Sequence, residues 1–303
     1  MNKRHGFLDL AKSGRNSKTR WIFGTIIILI GFLIIGSLPS VFICSDEIAG
    51  FDCSDLNLTN IYDAPPIILE YILVHWSFII GIISIFITSR FVHKRGLTQI
   101  ITHRITIDYD RVFYGMKIGL IIFTIDLILA FFLGAKPILN EFSAPEYITF
   151  FLFAIILTPI QASAEEIFFR GYILQGTSLI TDSNIKLAII NGILFTLWHI
   201  GNPEFINAIS FYFFFGIITT FITIKDNGIE LAMGLHAINN LFVFLIISPA
   251  IDPLAGLSLF KAENMTFSFG ILLFPVVYAV FSKKYEWKDA WVEKLFQKIN
   301  IPV

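Results

Sequence analysis

Two adjacent glutamates and an arginine, Glu165, Glu166 and Arg170, stand inside a long apolar stretch of the chain. An ionisable side chain at membrane depth is costly and needs a partner or a task. On a helix Glu166 and Arg170 are i,i+4 neighbours and can pair. Glu165 is turned by about 100° from Glu166, so one carboxylate can be structural while the other stays available as a general base. Further along, Phe195-Thr196-Leu197-Trp198-His199 ends a second apolar run, and His236-Ala237-Ile238-Asn239-Asn240 lies in a third. His236 and Asn240 share a helix face, which Asn239 does not. A lone histidine in such a run is usually a hydrogen-bonded packing residue. Two histidines, a carboxylate pair and an asparagine on three separate runs make coincidence a poorer explanation.

Three chemistries suit this set. Glu165 and His199 could hold and deprotonate a water that attacks a peptide carbonyl, with His236 and Asn240 donating to the developing oxyanion. Glu165, His199 and His236 could instead bind zinc, a bound water completing the fourth position and Glu166 serving as base. The cluster could also be the relay of an ion- or proton-coupled transporter, but transporters often show repeated halves, and no matching cluster stands in the first half. His75, Lys117 and Asp126 are each alone in their runs, and Lys117 is placed to snorkel.

The elements that must carry these residues follow from composition. The chain has 303 residues, 55% of them hydrophobic and 15% charged, with a net charge of -1 and a mean hydropathy of +0.75. A soluble domain carries about 25% charged residues. Water-soluble folds and disordered chains are thus excluded, and the charge balance leaves no basic footprint for nucleic acid. Apolar runs predict an all-α, polytopic bundle of about eight transmembrane helices: 21–38, 67–88, 112–133, one starting near Tyr147, then 185–200, 205–224, 229–247 and 266–281. The first run reads as a retained helix with a basic flank rather than a cleaved signal.

Basic residues lie before the first run (Lys3 to Arg20), between the second and third (Arg90 to Arg111) and after the eighth (Lys283 to Lys298). The loop between the first two has none. An even number of spans puts all three basic groups on one side, so both termini are expected in the cytoplasm of a multi-pass cell-membrane protein. The domain reading is a basic cytoplasmic arm (1–20), N-terminal transmembrane helices with an outer cysteine loop (21–140), a core (145–250), and a last helix with an amphipathic tail (251–303). Cys44 and Cys53 flank the outer loop and could form one bridge or remain free thiols. Asn57-Leu58-Thr59 fits a glycosylation sequon. In the tail, Trp287, Trp291, Leu295 and Ile299 recur every fourth residue, as in an interfacial amphipathic helix. Glu165 lies some 16 residues before the Thr181 turn and His199 about 14 after Ile185, so a hairpin brings them to similar depth. The run from Tyr147 to Leu179 is too long for one straight span of about 30 Å. Pro159 could kink it, or its end could leave the membrane.

Taken together, Glu165-Glu166-x-x-x-Arg170-Gly171-Tyr172, Phe195-x-x-x-His199 and His236-Ala237-x-x-Asn240 resemble the CPBP family, the CAAX proteases and bacteriocin-processing proteins. The likeness covers about 147–247. It implies an all-helical intramembrane endopeptidase in which Glu165 and His199 activate water, His236 and Asn240 serve the oxyanion, and Glu166 and Arg170 support the site. A divalent metal such as zinc is an open matter for that family. The resemblance also implies membrane lipid surroundings, a peptide or protein substrate, lipidated or membrane-associated, and roles in peptide maturation or self-immunity. A catalytically silent adaptor or immunity protein is the alternative. The first two helices fall outside the likeness and are expected to be anchors.

Overall fold

The structure is a computed structural model, and it describes residues 6–43, 67–132, 136–141, 143–202, 205–250, 257–262 and 268–289. Cys44, Cys53 and the Asn57 sequon, and the tail from 290 onward, lie outside the described residues.

Among the described residues eight main helices form the bundle. They are α1 (Lys18–Phe42), α2 (Ile68–Val92), α3 (Tyr109–Phe132) and α4 (Ala144–Ser178), α5 (Asn184–Trp198), α6 (Phe205–Asp226), α7 (Glu230–Leu245) and α8 (Ser268–Lys284). Five of them, α1 to α4 and α6, are long and apolar enough to cross a membrane. The chain is a multi-pass membrane protein, and its outward faces carry the side chains that lipid requires: Ile22, Phe113, Ile156 and Leu197 are exposed, while Glu165, Glu166 and Arg170 are buried.

The long fourth run is one helix. It begins at Ala144, earlier than hydropathy suggests, because Ser143 and Glu146 form a reciprocal capping box, each side chain bonding the other's backbone N–H. The helix continues through Pro159. Its 35 residues reach about 52 Å at 1.5 Å per residue, well beyond a hydrocarbon core of about 30 Å. Directly after Glu166 it widens into a π-helical stretch, Ile167–Ile173, a distortion that recurs at functional sites. The 15 residues of α5 reach only about 22 Å, so His199, its C-terminal capping residue, sits where that helix stops short.

Helix α7 packs against α3 and α4, α5 packs along α6, and α2 packs on α4. The α5–α6 crossing is glycine on glycine: a Cβ at Gly216 would stand 2.7 Å from the Gly192 Cα. Three short strands join the connections at the end of the bundle where α4 begins. Strand β1 (Ile138–Leu139) runs antiparallel to β3 (Phe260–Ala262), which runs parallel to β2 (Ile247–Pro249). Hydropathy does not reveal them, and β2 ends the seventh run as strand rather than helix.

Both ends of the described chain fold back on the bundle. The basic arm is in part folded: Phe7–Lys12 is a 3-10 turn with Phe7, Leu8 and Ala11 buried. The tail is not helical at its start. After Lys284 the chain turns, Glu286 adopts φ 53°, and Trp287 packs on Tyr278 at 5.4 Å between ring centroids. Asp289 accepts from Tyr278 at 2.7 Å and pairs with Lys225.

Candidate active site

Four helices supply the site. From α4, Glu165 and Glu166 leave on different faces. Glu166 pairs with Arg170 one turn on, Nη1 to Oε1 at 3.0 Å. The same Oε1 accepts from His236 Nδ1 on α7 at 2.7 Å. Because a carboxylate only accepts, Nδ1 carries the proton, and in the neutral ring Nε2 is left as the lone-pair nitrogen. His199 is set in the same sense, its Nδ1 donating to the Phe195 carbonyl at 2.8 Å. Tyr212 of α6 stacks on the His199 ring, centroids 4.0 Å apart and planes 17° apart, and its hydroxyl accepts from Asn202 at 3.2 Å.

Both Nε2 atoms turn toward one oxygen. Glu165 Oε2 lies 3.9 Å from His199 Nε2 and 3.8 Å from His236 Nε2, and it is buried without a hydrogen-bond partner. The gap is too wide for direct hydrogen bonds and suits one bridging atom. The other oxygen, Oε1, accepts from Gln161 at 2.7 Å. Asn240 Nδ2 donates to Gln161 Oε1 at 2.8 Å and lies 3.2 Å from His236 Nε2, while Asn240 Oδ1 accepts from Asn239 at 2.8 Å.

The residues singled out from sequence therefore meet: Glu165, Glu166, Arg170, His199, His236 and Asn240 form one connected group. His75 and Asp126 do not join it. His75 Nδ1 is bonded to the Tyr71 carbonyl at 2.7 Å, and among the described residues no hydrogen bond or ion pair links Asp126 to the cluster. Gln161 was missed, although its signal was available: it lies four residues before Glu165, on the same face. Asn239 was set aside for facing elsewhere, yet it reaches its neighbour's amide oxygen. Tyr212 carried no signal beyond an aromatic-rich run.

A tetrahedral zinc with bonds of about 2.0–2.1 Å separates its donors by about 3.4 Å. The nitrogen–oxygen separations of 3.8 and 3.9 Å exceed that edge, and among the described residues no group of three or more His, Cys, Asp or Glu is arranged to hold a metal ion. The gap has room for a water hydrogen-bonded to several acceptors, the kind of site a buried polar pocket retains.

Comparison with known proteins places the chain in a family. The chain is similar to the uncharacterized protein YyaK of Bacillus subtilis (strain 168), 30% identical over 240 residues that cover 78% of this chain and 80% of that one. No solved structure matches it. Residues 144–242, from the start of α4 to beyond Asn240, match the family described as type II CAAX prenyl endopeptidase, Rce1-like. With that match across the whole buried polar group and the relative across most of its length, the chain belongs to the type II CAAX prenyl endopeptidase (CPBP) family of intramembrane endopeptidases.

Proposed function

We propose that this chain is an active intramembrane endopeptidase that hydrolyses a peptide bond of a membrane-associated or lipidated peptide by glutamate–histidine activation of water. The observation that carries this reading is the orphaned Glu165 Oε2 facing two histidine nitrogens at 3.8 and 3.9 Å. A silent adaptor has no use for an unpartnered buried carboxylate oxygen, which is costly to keep.

The water binds between Glu165 Oε2 and His199 Nε2. They take its proton as its oxygen attacks the scissile carbonyl carbon. The carbonyl oxygen becomes an oxyanion beside Asn240 Nδ2 and His236 Nε2. For His236 to donate there it must be protonated on both nitrogens, and the Glu166 carboxylate at Nδ1 balances that charge. Asn240 already presents N–H on this side. The proton held by the Glu165–His199 pair then passes to the leaving nitrogen, the C–N bond breaks, and a carboxylate and an amine leave. Tyr212 and Phe195 keep the His199 ring in place, and Arg170 holds the Glu166 carboxylate by its 3.0 Å contact. Both termini face the cytoplasm in this reading, since the three basic groups then share that side.

The test is cleavage of quenched C-terminal peptides, prenylated and plain, by the protein in lipid vesicles. Glu165→Gln and His199→Ala are expected to lose at least about 100-fold in kcat, and a strong zinc chelator to leave the wild type unchanged. Cleavage surviving in Glu165→Gln would overturn the reading. Loss on chelation with recovery on added zinc would replace activated water by metal-bound water.

A further inference from the structure

We propose that Gln161 is a positioning residue that locks the water-activating carboxylate and the oxyanion donor into one geometry. The inference rests on the hydrolytic reading above. Gln161 is buried, 9% exposed, one turn before Glu165 on α4. Its two amide ends have different work. The Nε2 group donates to Glu165 Oε1 at 2.7 Å, and Oε1 accepts from Asn240 Nδ2 at 2.8 Å.

The direction of this chain is not free. A carboxylate oxygen accepts only, so the glutamine must present its NH2 to Glu165 and its carbonyl to α7. The carbonyl then requires an N–H from Asn240, which turns the Asn240 amide so that its nitrogen faces the site. Asn239 closes the line by donating to Asn240 Oδ1 at 2.8 Å. Four side chains on two helices are thus oriented from one charged end. Asn240 has two N–H bonds, one committed to Gln161 and the other directed near His236 Nε2 at 3.2 Å. That second N–H is the one a substrate oxyanion would take. Without Gln161 the Asn240 amide has no reason to keep nitrogen inward, and Glu165 Oε1 loses its donor and is free to rotate Oε2 away from His199.

The test compares wild type, Glu165→Gln, Gln161→Met, Asn240→Ala and the Gln161→Met/Asn240→Ala pair in vesicles. Methionine keeps length and apolar volume but removes both hydrogen bonds. Gln161→Met is expected to lose about 100-fold in kcat, with KM within about twofold, in protein that is still folded at the assay temperature. In the Asn240→Ala background the same substitution is expected to cost about 10-fold or less, because part of its effect runs through Asn240. Gln161→Met with kcat within twofold of wild type, a loss confined to KM, or an equal loss in both backgrounds would overturn the assignment. Should Gln161→Met fail to fold, Gln161→Glu decides: it keeps the shape but sets oxygen against Glu165, and full activity in it would likewise overturn the assignment. An inert wild type or an active Glu165→Gln overturns the hydrolytic reading and this assignment with it. An active wild type, a dead Glu165→Gln and an unimpaired Gln161→Met overturn this assignment alone.

Discussion

Arg170 shows how one buried charge is kept in this bundle. It is fully buried, its guanidinium lies 4.1 Å from the Phe195 ring centroid, and Glu166 is its carboxylate partner at 3.0 Å. Removing one member of a buried pair strands the other and costs about 3–5 kcal/mol, whereas replacing both is far milder. Arg170→Met is therefore expected to destabilise the protein by about 3–5 kcal/mol, with the Glu166→Gln/Arg170→Met pair recovering part of that loss. Unfolding in detergent measures both. Equal destabilisation in the single and double variants would mean that packing against Phe195, not charge, holds Arg170. This pair was legible from its i,i+4 spacing, because both ends ride one helix. The second duty of Glu166, holding His236 Nδ1, was not: it joins α4 to α7, and no spacing within either helix encodes how the two pack. Gln161 was legible in the same way as Arg170, but a glutamine four residues from a glutamate is common enough to pass unnoticed until Asn240 is seen on its other side.

At the scale of elements, the catalytic reading depends on α5 ending beside α6. The close approach at Gly192 and Gly216 lets Tyr212 cover His199. Gly216→Val forces the helices apart and is expected to lower the melting temperature and lose most activity, as overpacking typically costs about 1–3 kcal/mol. Gly201 has nothing within 4 Å of where a Cβ would stand, so Gly201→Ala should leave the melting temperature unchanged; parity of the two variants would discount the crossing. The π-helical stretch of α4 makes a second joint. Its Tyr172 hydroxyl meets His93 Nε2 at 2.8 Å, just past the end of α2, and the His93 Nδ1 donates to the Arg15 carbonyl at 2.9 Å. Burial pushes His93 below the ordinary imidazole range, the Arg15 carbonyl works against this, and Arg95 and Arg20 add to it. The folded state then holds fewer protons here than the unfolded chain. Its stabilising contribution is full above about pH 6.5 and is lost as pH falls below that value. The melting temperature should drop between about pH 7 and 5, and the drop should be smaller in His93→Gln. An equal slope in both would place the sensitivity elsewhere. The apolar helices were readable from hydropathy, with errors where chemistry other than hydropathy decides an end: the capping box of α4, and the strand that follows α7.

The whole molecule is tied together by contacts that join segments before the matched stretch of 144–242 to residues within it. Arg104 reaches Asp226 at 3.1 Å and Glu230 at 3.2 Å, and Arg111 bonds Asp108 at 3.0 Å and also pairs with Asp226. This clasp closes the α6–α7 turn, where Asn227 takes φ 58° and its carbonyl accepts from the His103 N–H at 3.0 Å. The turn sets the start of α7, and therefore the height at which His236 and Asn240 enter the site. On the same side Trp21 packs on Tyr172 with ring centroids 4.6 Å apart. Arg95, whose burial lowers it to about 10, donates to Gln175 at 2.7 Å. Phe7 donates its N–H to Asn227 at 3.0 Å. Apart from the i,i+3 pair Arg111–Asp108, none of these ties was visible in the sequence, because each joins segments more than a hundred residues apart, or eighty in the case of Arg95 and Gln175, through one or two side chains. They bear on the first two helices, for which plain anchoring is the simplest reading. An anchor can be removed at little cost to the fold beyond it, but α1 and the segment after α2 pack on Tyr172 and Gln175, two and five residues past Arg170. A chain starting at residue 97, lacking Trp21, His93 and Arg95 but keeping the Arg104–Arg111 clasp, is expected to lose the great majority of peptidase activity and to melt well below the full chain. Restoring 1–96 as a separate polypeptide in the same vesicles should return part of both. Full activity and an unchanged melting temperature in the shortened chain would show that α1 and α2 serve as anchors alone. Loss of activity at an unchanged melting temperature would instead put them in the path of the substrate.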